Sequence, residues 1–350
     1  MIGHDSSSSY LHQFQRLEGT SWDEMPTIKD WLSTDQDDAN DTSDTDDYRI
    51  GHERNFAFRW LMKAVYDLTD GDFQFFITII AVFVMVVFAQ FIYRYSPSPA
   101  QSILYYFGLM YYTMMFSVLK QSIAMAFILL AFNAITDRKL FRFVILVLVA
   151  SMFHFPAIAF LPAYWIARMR PGRTYILLLA ALLVLTYVFR DQIVRWAQDT
   201  YETNLHDAST TRFLANKVIV MLVIIIAAVV IRPPSAEDTV YCSILMLIGI
   251  AAVLQTYAGY SNNFERLADY YFQLSVVFIP MVFENVKTKR RYLSERELAL
   301  VRRAGPYLFG AFAIWRFLNT ISGDSAFNPY QFYFQAEKAG ETLAAWANLL

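Results

Sequence analysis

FQFFITIIAVFVMVVFAQFIY, residues 73–93, is a run of 21 residues without a charged side chain. Wound as an α-helix at about 1.5 Å per residue it extends about 32 Å, which matches the roughly 30 Å hydrocarbon core of a bilayer. The same composition recurs toward the C-terminus. Residues 101–136 are apolar over about 54 Å of helix, too long for one crossing, and carry only Lys120 as a charge. Residues 143–167 have no formal charge but contain His154, with Pro156 two positions later, and a proline frees backbone groups in a way that favours a break. Further apolar stretches cover 174–189, 213–231, 239–257, 270–283 and 304–322. The pattern predicts an all-α polytopic integral membrane protein with about 8–10 membrane segments, some paired as short helical hairpins.

Composition agrees with that reading. Of 350 residues, 56% are hydrophobic and 17% aromatic, while only 17% are charged, against roughly 25% in a soluble domain. The mean hydropathy is +0.33. A soluble globular enzyme is excluded as the starting assumption, and 29 basic against 31 acidic residues leave no basic excess for a nucleic-acid partner. The charge is unevenly divided: residues 1–72 hold 6 basic and 16 acidic side chains, so an acidic head precedes a basic, apolar body. Cys242 stands alone in an apolar run, and the five histidines form no Cys/His cluster with metal-ligand spacing, so neither metal nor cofactor is expected.

Basic loops stay cytoplasmic, which sets the orientation. Residues 285–303 hold Lys287, Lys289, Arg290, Arg291, Arg296, Arg302 and Arg303 against Glu295 and Glu297, and anchor the inner side. Counting back, 262–269 fall outside, 232–238 inside, 191–207 outside and 168–173 inside, with Arg138, Lys139 and Arg142 also inside. Both ends of 143–167 then lie on one side, so this segment is expected to enter and leave with its tip near His154. Arg94 and Arg138 impose the same on 101–136, with its tip at Lys120. Lys120, His154 and Arg266 are thereby assigned to the external face.

Three regions follow: an acidic extracytoplasmic N-terminal region at 1–72, a transmembrane body at 73–322 and an extracytoplasmic tail at 323–350. The Asp-, Ser- and Thr-rich run at 33–48 lacks the glycine and closing Glu of an EF-hand loop and reads as solvated chain. No signal peptide or apolar span precedes residue 73.

Ionisable groups inside apolar segments are costly and face a cavity or a partner by default. His154 in the sequence Met152-Phe153-His154-Phe155-Pro156 is one such group; its bland reading is a neutral ring bonded to a backbone carbonyl at a hairpin break. Lys120, followed by Gln121, needs an anion or a short route to water, unless it snorkels to the interface. Arg266 precedes Tyr270 and Tyr271, and an interfacial anchor beside an aromatic belt is its alternative. Three separated cationic or imidazole groups on one face suit a phosphate-bearing ligand. Asp5, in Gly3-His4-Asp5, places a carboxylate at the membrane face, where it could accept a proton from a sugar hydroxyl.

Gly3-x-Asp5-x4-Tyr10, Lys120-Gln121-x2-Ala124, Phe153-His154 and Arg266-x3-Tyr270-Tyr271 occur in an order and spacing that resembles the EpsG-like family of exopolysaccharide and capsular polysaccharide polymerases, related in function to Wzy O-antigen polymerases. The resemblance runs from residue 3 to about residue 330. It implies a multi-pass protein of the bacterial inner (cytoplasmic) membrane that joins oligosaccharide repeat units carried on undecaprenyl diphosphate, at the outer face. It implies Lys120 and Arg266 on the diphosphate, His154 or Asp5 as base or acceptor-positioning group, and Gln121, Tyr270 and Tyr271 in support. The lipid bilayer, the lipid-linked oligosaccharide and the polysaccharide export and chain-length machinery are the implied partners. Two departures stand out. The family has Arg where this chain has Lys120, which keeps the charge but loses bidentate phosphate binding. Family members begin with a membrane helix ending just before Gly-x-Asp, whereas Met1 stands two residues before Gly3, so a missing or misassigned start, and with it an inactive form, is the expectation.

Two other activities remain open at the level of sequence. A membrane acyltransferase that decorates a polysaccharide would also use a buried histidine. A transporter or flippase of the lipid-linked unit would use Lys120 and Arg266 to hold an anionic headgroup, although no inverted repeat is visible.

Overall fold

The computed structural model describes residues 10–29, 55–201, 211–231, 237–258, 262–284 and 294–323. Phe73–Tyr95 is a single helix, here α3, preceded by α1 (Leu11–Gln15) and α2 (Phe56–Thr69). Asp72 caps its start, the carboxylate accepting the Phe75 N–H at 3.0 Å, and the chain leaves it at Ser96, ahead of two prolines. No strand occurs among the described residues.

The 101–136 region divides into α4 (Pro99–Gly108), α5 (Tyr111–Ser117) and α6 (Leu119–Thr136). Met110, in the left-handed region at φ 71°, separates the first two, and Val118 separates the last two. The break therefore lies just before Lys120, in the first turn of α6. α3 and α6 run in the same direction: Phe83 meets Phe127, Phe91 meets Phe132, and at the C-terminal ends Arg94 pairs with Asp137 at 2.6 Å. Both ends of the 101–136 region thus sit on one face of the bundle, with α4 and α5 carrying the chain back before α6 crosses the whole thickness.

A turn at 137–139, with Arg138 at φ 60°, leads into α7 (Leu140–Phe153), which packs antiparallel on α6. α7 stops at His154, whose backbone is extended, and a 3-10 helix (Phe155–Phe160) and α8 (Ala163–Ile166) return the chain. Ala167 ends beside Ile135 and accepts a hydrogen bond from Ser243 at 2.6 Å. The predicted reversal near His154 is what the backbone does.

The remaining elements are α9 (Arg173–Tyr201), α10 (Thr211–Ile231), α11 (Thr239–Gln255), α12 (Asn262–Phe272), α13 (Ser275–Glu284) and α14 (Glu295–Gly323). Here the structure departs from expectation. Residues 262–269, expected as a loop, form the first turns of α12, and the stretch 270–283, expected as one span, breaks between α12 and α13. The polar content of 262–269 does not prevent a helix because Glu265 and Asp269 find a buried partner. At the break, the Gln273 amide donates to the Tyr270 carbonyl at 3.1 Å and to the Met125 carbonyl at 3.3 Å, closing the end of α12 against α6.

α3 and α6 are the two helices, among the described residues, long and apolar enough to cross a membrane by length and composition; the other apolar helical stretches described, such as Thr174–Thr186 and Lys217–Val229, are shorter. Large apolar side chains are exposed along α3 (Val82, Val86), α9 (Leu178, Leu185) and α14 (Leu308, Trp315), an outside that water does not favour. α4 and α14 approach closely, with Tyr105 donating to the Pro306 carbonyl at 3.1 Å. A Cβ at Gly108 would overlap the Ala313 side chain and come within 2.9 Å of its backbone carbonyl carbon. Small residues permit that proximity.

Candidate functional site

Three segments distant in sequence meet at the end of the bundle opposite Arg94 and Arg138. α6 brings Lys120 and Gln121 in its first turn, the break after α7 brings His154, and α12 brings Arg266, Tyr270 and Tyr271. His154 Nδ1 and the Tyr270 hydroxyl lie 2.6 Å apart and share a hydrogen bond across 116 residues of chain. Both are buried, His154 at 7% and Tyr270 at 1% exposure. Because α7 ends at His154, its ring stands at a helix terminus, held by a tyrosine from another element. Gln121 donates from Nε2 to the Arg266 carbonyl at 3.4 Å, tying α6 to α12. Both cations, Arg266 and Lys120, act electrostatically on the His154 ring.

α2 covers the site. The Phe155 N–H, next to His154, donates to the Asn55 side chain at 3.1 Å, and Lys120 Nζ lies 5.4 Å from the centre of the Phe58 ring. Phe58 in turn meets Tyr10, ring centres 5.6 Å apart, so the tyrosine of the N-terminal motif stands next to this wall. Tyr271 plays a different part from Tyr270: its hydroxyl donates to the Ala159 carbonyl at 2.6 Å and its ring packs on Phe160, pinning α12 to the 3-10 helix. Asp5 lies outside the described residues, so of the predicted site residues Lys120, Gln121, His154, Arg266, Tyr270 and Tyr271 are the ones brought together.

Sequence reasoning passed over what holds α12 in place. Lys217, on α10, reaches Glu265 at 2.6 Å and Asp269 at 3.2 Å. Asp269 is 3% exposed, so this ion triad sits largely away from water. Residues four apart share a helix face, so Glu265 and Asp269 present one face of α12 to Lys217 while Arg266 and Tyr270, one position on and about 100° around, present another to Lys120 and His154. The signal was available: Lys217 interrupts the apolar stretch 213–231, and a lone cation there demands an anion. Asn55, Phe58 and Gln273 carried no such signal, because each contributes through tertiary contact alone.

Two cations near a buried imidazole and its tyrosine partner can hold a phosphate group beside a group able to exchange a proton. Among the described residues no group of His, Cys, Asp or Glu is arranged to hold a metal ion.

The EpsG family model matches residues 2–332, and the chain belongs to the EpsG family. That places it among membrane proteins connected with exopolysaccharide biosynthesis. No curated protein and no solved structure matches it.

Proposed function

We propose that this EpsG-family chain is a multi-pass polymerase of the bacterial inner membrane. It joins undecaprenyl-diphosphate-linked oligosaccharide units into an exopolysaccharide, capsule or O-antigen at the outer face. The observation that carries the reading is the convergence of the half-buried Lys120 and Arg266 and the buried His154 from three separate segments, with His154 held by Tyr270 at 2.6 Å.

In the reaction the acceptor hydroxyl loses its proton and its oxygen attacks the anomeric carbon of the donor sugar. The bond from that carbon to the diphosphate oxygen breaks, and the carrier diphosphate departs. Charge grows on the diphosphate in the transition state, so Arg266 and Lys120 contribute most where they meet it then rather than in the ground state. His154, oriented by Tyr270, accepts the proton or positions the acceptor; Asp5 is the alternative base. Gln121, through the Arg266 carbonyl, and Tyr271, through Ala159, hold α12 at its working distance.

The test is the glycan length profile of a deletion strain complemented with wild type, His154→Ala or Arg266→Ala. Long polymer with wild type and single repeats with both variants, at equal protein level, is the expected result. Undiminished length in both variants refutes the assignment. Unflipped units on the inner face would instead indicate transport, and acyl groups lost without a change in length would indicate an acyltransferase.

A further inference from the structure

A second constellation of cations stands at the other end of the bundle, about as far from His154 as α6 allows. The turn after α6, the linker after α8 and the start of α11 enclose a cavity of about 350 Å³ lined by Arg138, Arg168, Arg170, Met169, Val240 and Ser243, among others. Three arginines from two loops converge on one space. Asp137, the acid nearest in sequence to Arg138, pairs with Arg94 at 2.6 Å and lies 3.9 Å from Lys139.

The three arginines are exposed at this end of the bundle, and Arg168 is ordered there by an aromatic ring. The Arg168 guanidinium lies 4.1 Å from the centre of the Tyr164 ring, and that ring is packed on Phe143, so part of its ordering cost is met by the fold. The Arg138 backbone is left-handed in the turn, at φ 60°. Thr239 and Val240, the first residues of α11, line the same cavity. Ile135, Met169 and Val240 give an apolar wall beside the cations. Guanidinium forks with an apolar wall suit an anionic group such as a phosphate carried on an alkyl chain better than a sugar.

We infer that this cavity is a phosphate-binding site, filled by the headgroup of an anionic phospholipid in the inner leaflet or by free phosphate. It is separate from the proposed polymerase site. Basic pockets between membrane helices on the cytoplasmic side are suited to such headgroups, and Arg138 and Arg168 fall on that side by the distribution of positive charge.

The full chain, purified in neutral detergent, is titrated with dioctanoyl phosphatidylglycerol, dioctanoyl phosphatidylcholine or inorganic phosphate while its thermal unfolding midpoint is followed. Phosphatidylglycerol raises the midpoint saturably in wild type, and its apparent affinity falls about tenfold for each arginine removed in Arg138→Gln, Arg168→Gln and Arg170→Gln. Phosphatidylcholine does so only weakly. Phosphate that matches phosphatidylglycerol identifies the free ion as occupant; a response to phosphatidylglycerol alone identifies the lipid. Arg142→Gln, at the same end but outside the lining, leaves the titration unchanged. Equal weakening by Arg142→Gln, or no difference between wild type and the cavity variants, overturns the site. None of these readouts depends on polymer formation, so failure here leaves the polymerase reading untouched and failure of that reading leaves this one standing.

Discussion

Replacing Lys217 with methionine keeps the length of the side chain and removes its charge from between Glu265 and Asp269. The lysine side chain is 11% exposed and that of Asp269 is 4%, while Glu265 at 22% retains some water. Asp269 therefore bears most of the loss, as an anion with its cation gone, and Glu265 on the same helix face adds repulsion. Breaking a buried pair by deleting one partner costs about 3–5 kcal/mol. Against a total stability of about 5–15 kcal/mol this is a large share, equivalent to two or more powers of ten in the population of molecules with α12 undocked. The expected outcome is a lowered unfolding midpoint, faster proteolysis within 259–273, and loss of long polymer even at temperatures where the rest of the fold survives. Lys217→Met combined with Asp269→Asn removes the stranded charge and should recover most of the stability. If Lys217→Met unfolds with wild type, or if the double variant is no better than the single one, the triad does not hold α12 and the reasoning fails.

Three further outcomes are expected. Tyr270→Phe deletes only the hydroxyl 2.6 Å from His154; it should cost about 1 kcal/mol in unfolding while shortening the polymer far more than that loss explains, and unchanged length would remove Tyr270 from the site. Gly108→Val forces side-chain volume against the Ala313 backbone, and overpacking of about 1–3 kcal/mol should separate α4 from α14, read as faster cleavage in that pair or a lowered midpoint. At the start of α14, the Ser294 N–H and hydroxyl both donate to Glu297 and hold its carboxyl below the ordinary range. A depressed acid stabilises above its unfolded pKa and loses that contribution as pH falls. The amides at the N-terminus of α14 should therefore lose protection, relative to their intrinsic exchange rate, as pH falls in wild type, with this dependence reduced in Ser294→Ala.

Much of the arrangement was legible in the residues. Lys120 and His154 each interrupt apolar sequence, Arg266 precedes an aromatic pair, and the placement of arginines required 101–136 and 143–167 to reverse; the Arg94–Asp137 pair and the return of Ala167 to the cavity that Ile135 also lines show both reversals. What sequence did not disclose depends on pairing at a distance. The helicity of 262–272 rests on Lys217, which lies 48 residues from Glu265, and a loop rich in Asn, Glu and Asp looks solvated until that cation is placed beside it. The break at Gln273 has the same character, since its amide closes the helix only because Met125 offers a carbonyl across the interface. Roles within the tyrosine pair were equally hidden: adjacent residues on a helix face different ways, and only packing tells that Tyr270 meets His154 while Tyr271 meets Ala159.

The two-faced character of α12 has a consequence for how this part of the chain tolerates changes in length. Adding or removing one residue in its middle turns everything beyond that point by about 100°. Such a change between Glu265 and Asp269 would deliver Asp269 or its neighbour to the wrong wall, placing a carboxylate beside His154 or a tyrosine against Lys217. Loops elsewhere absorb insertions at small cost. Along these few turns the spacing itself carries the information, so working members of a sequence library should almost never vary here in residue count.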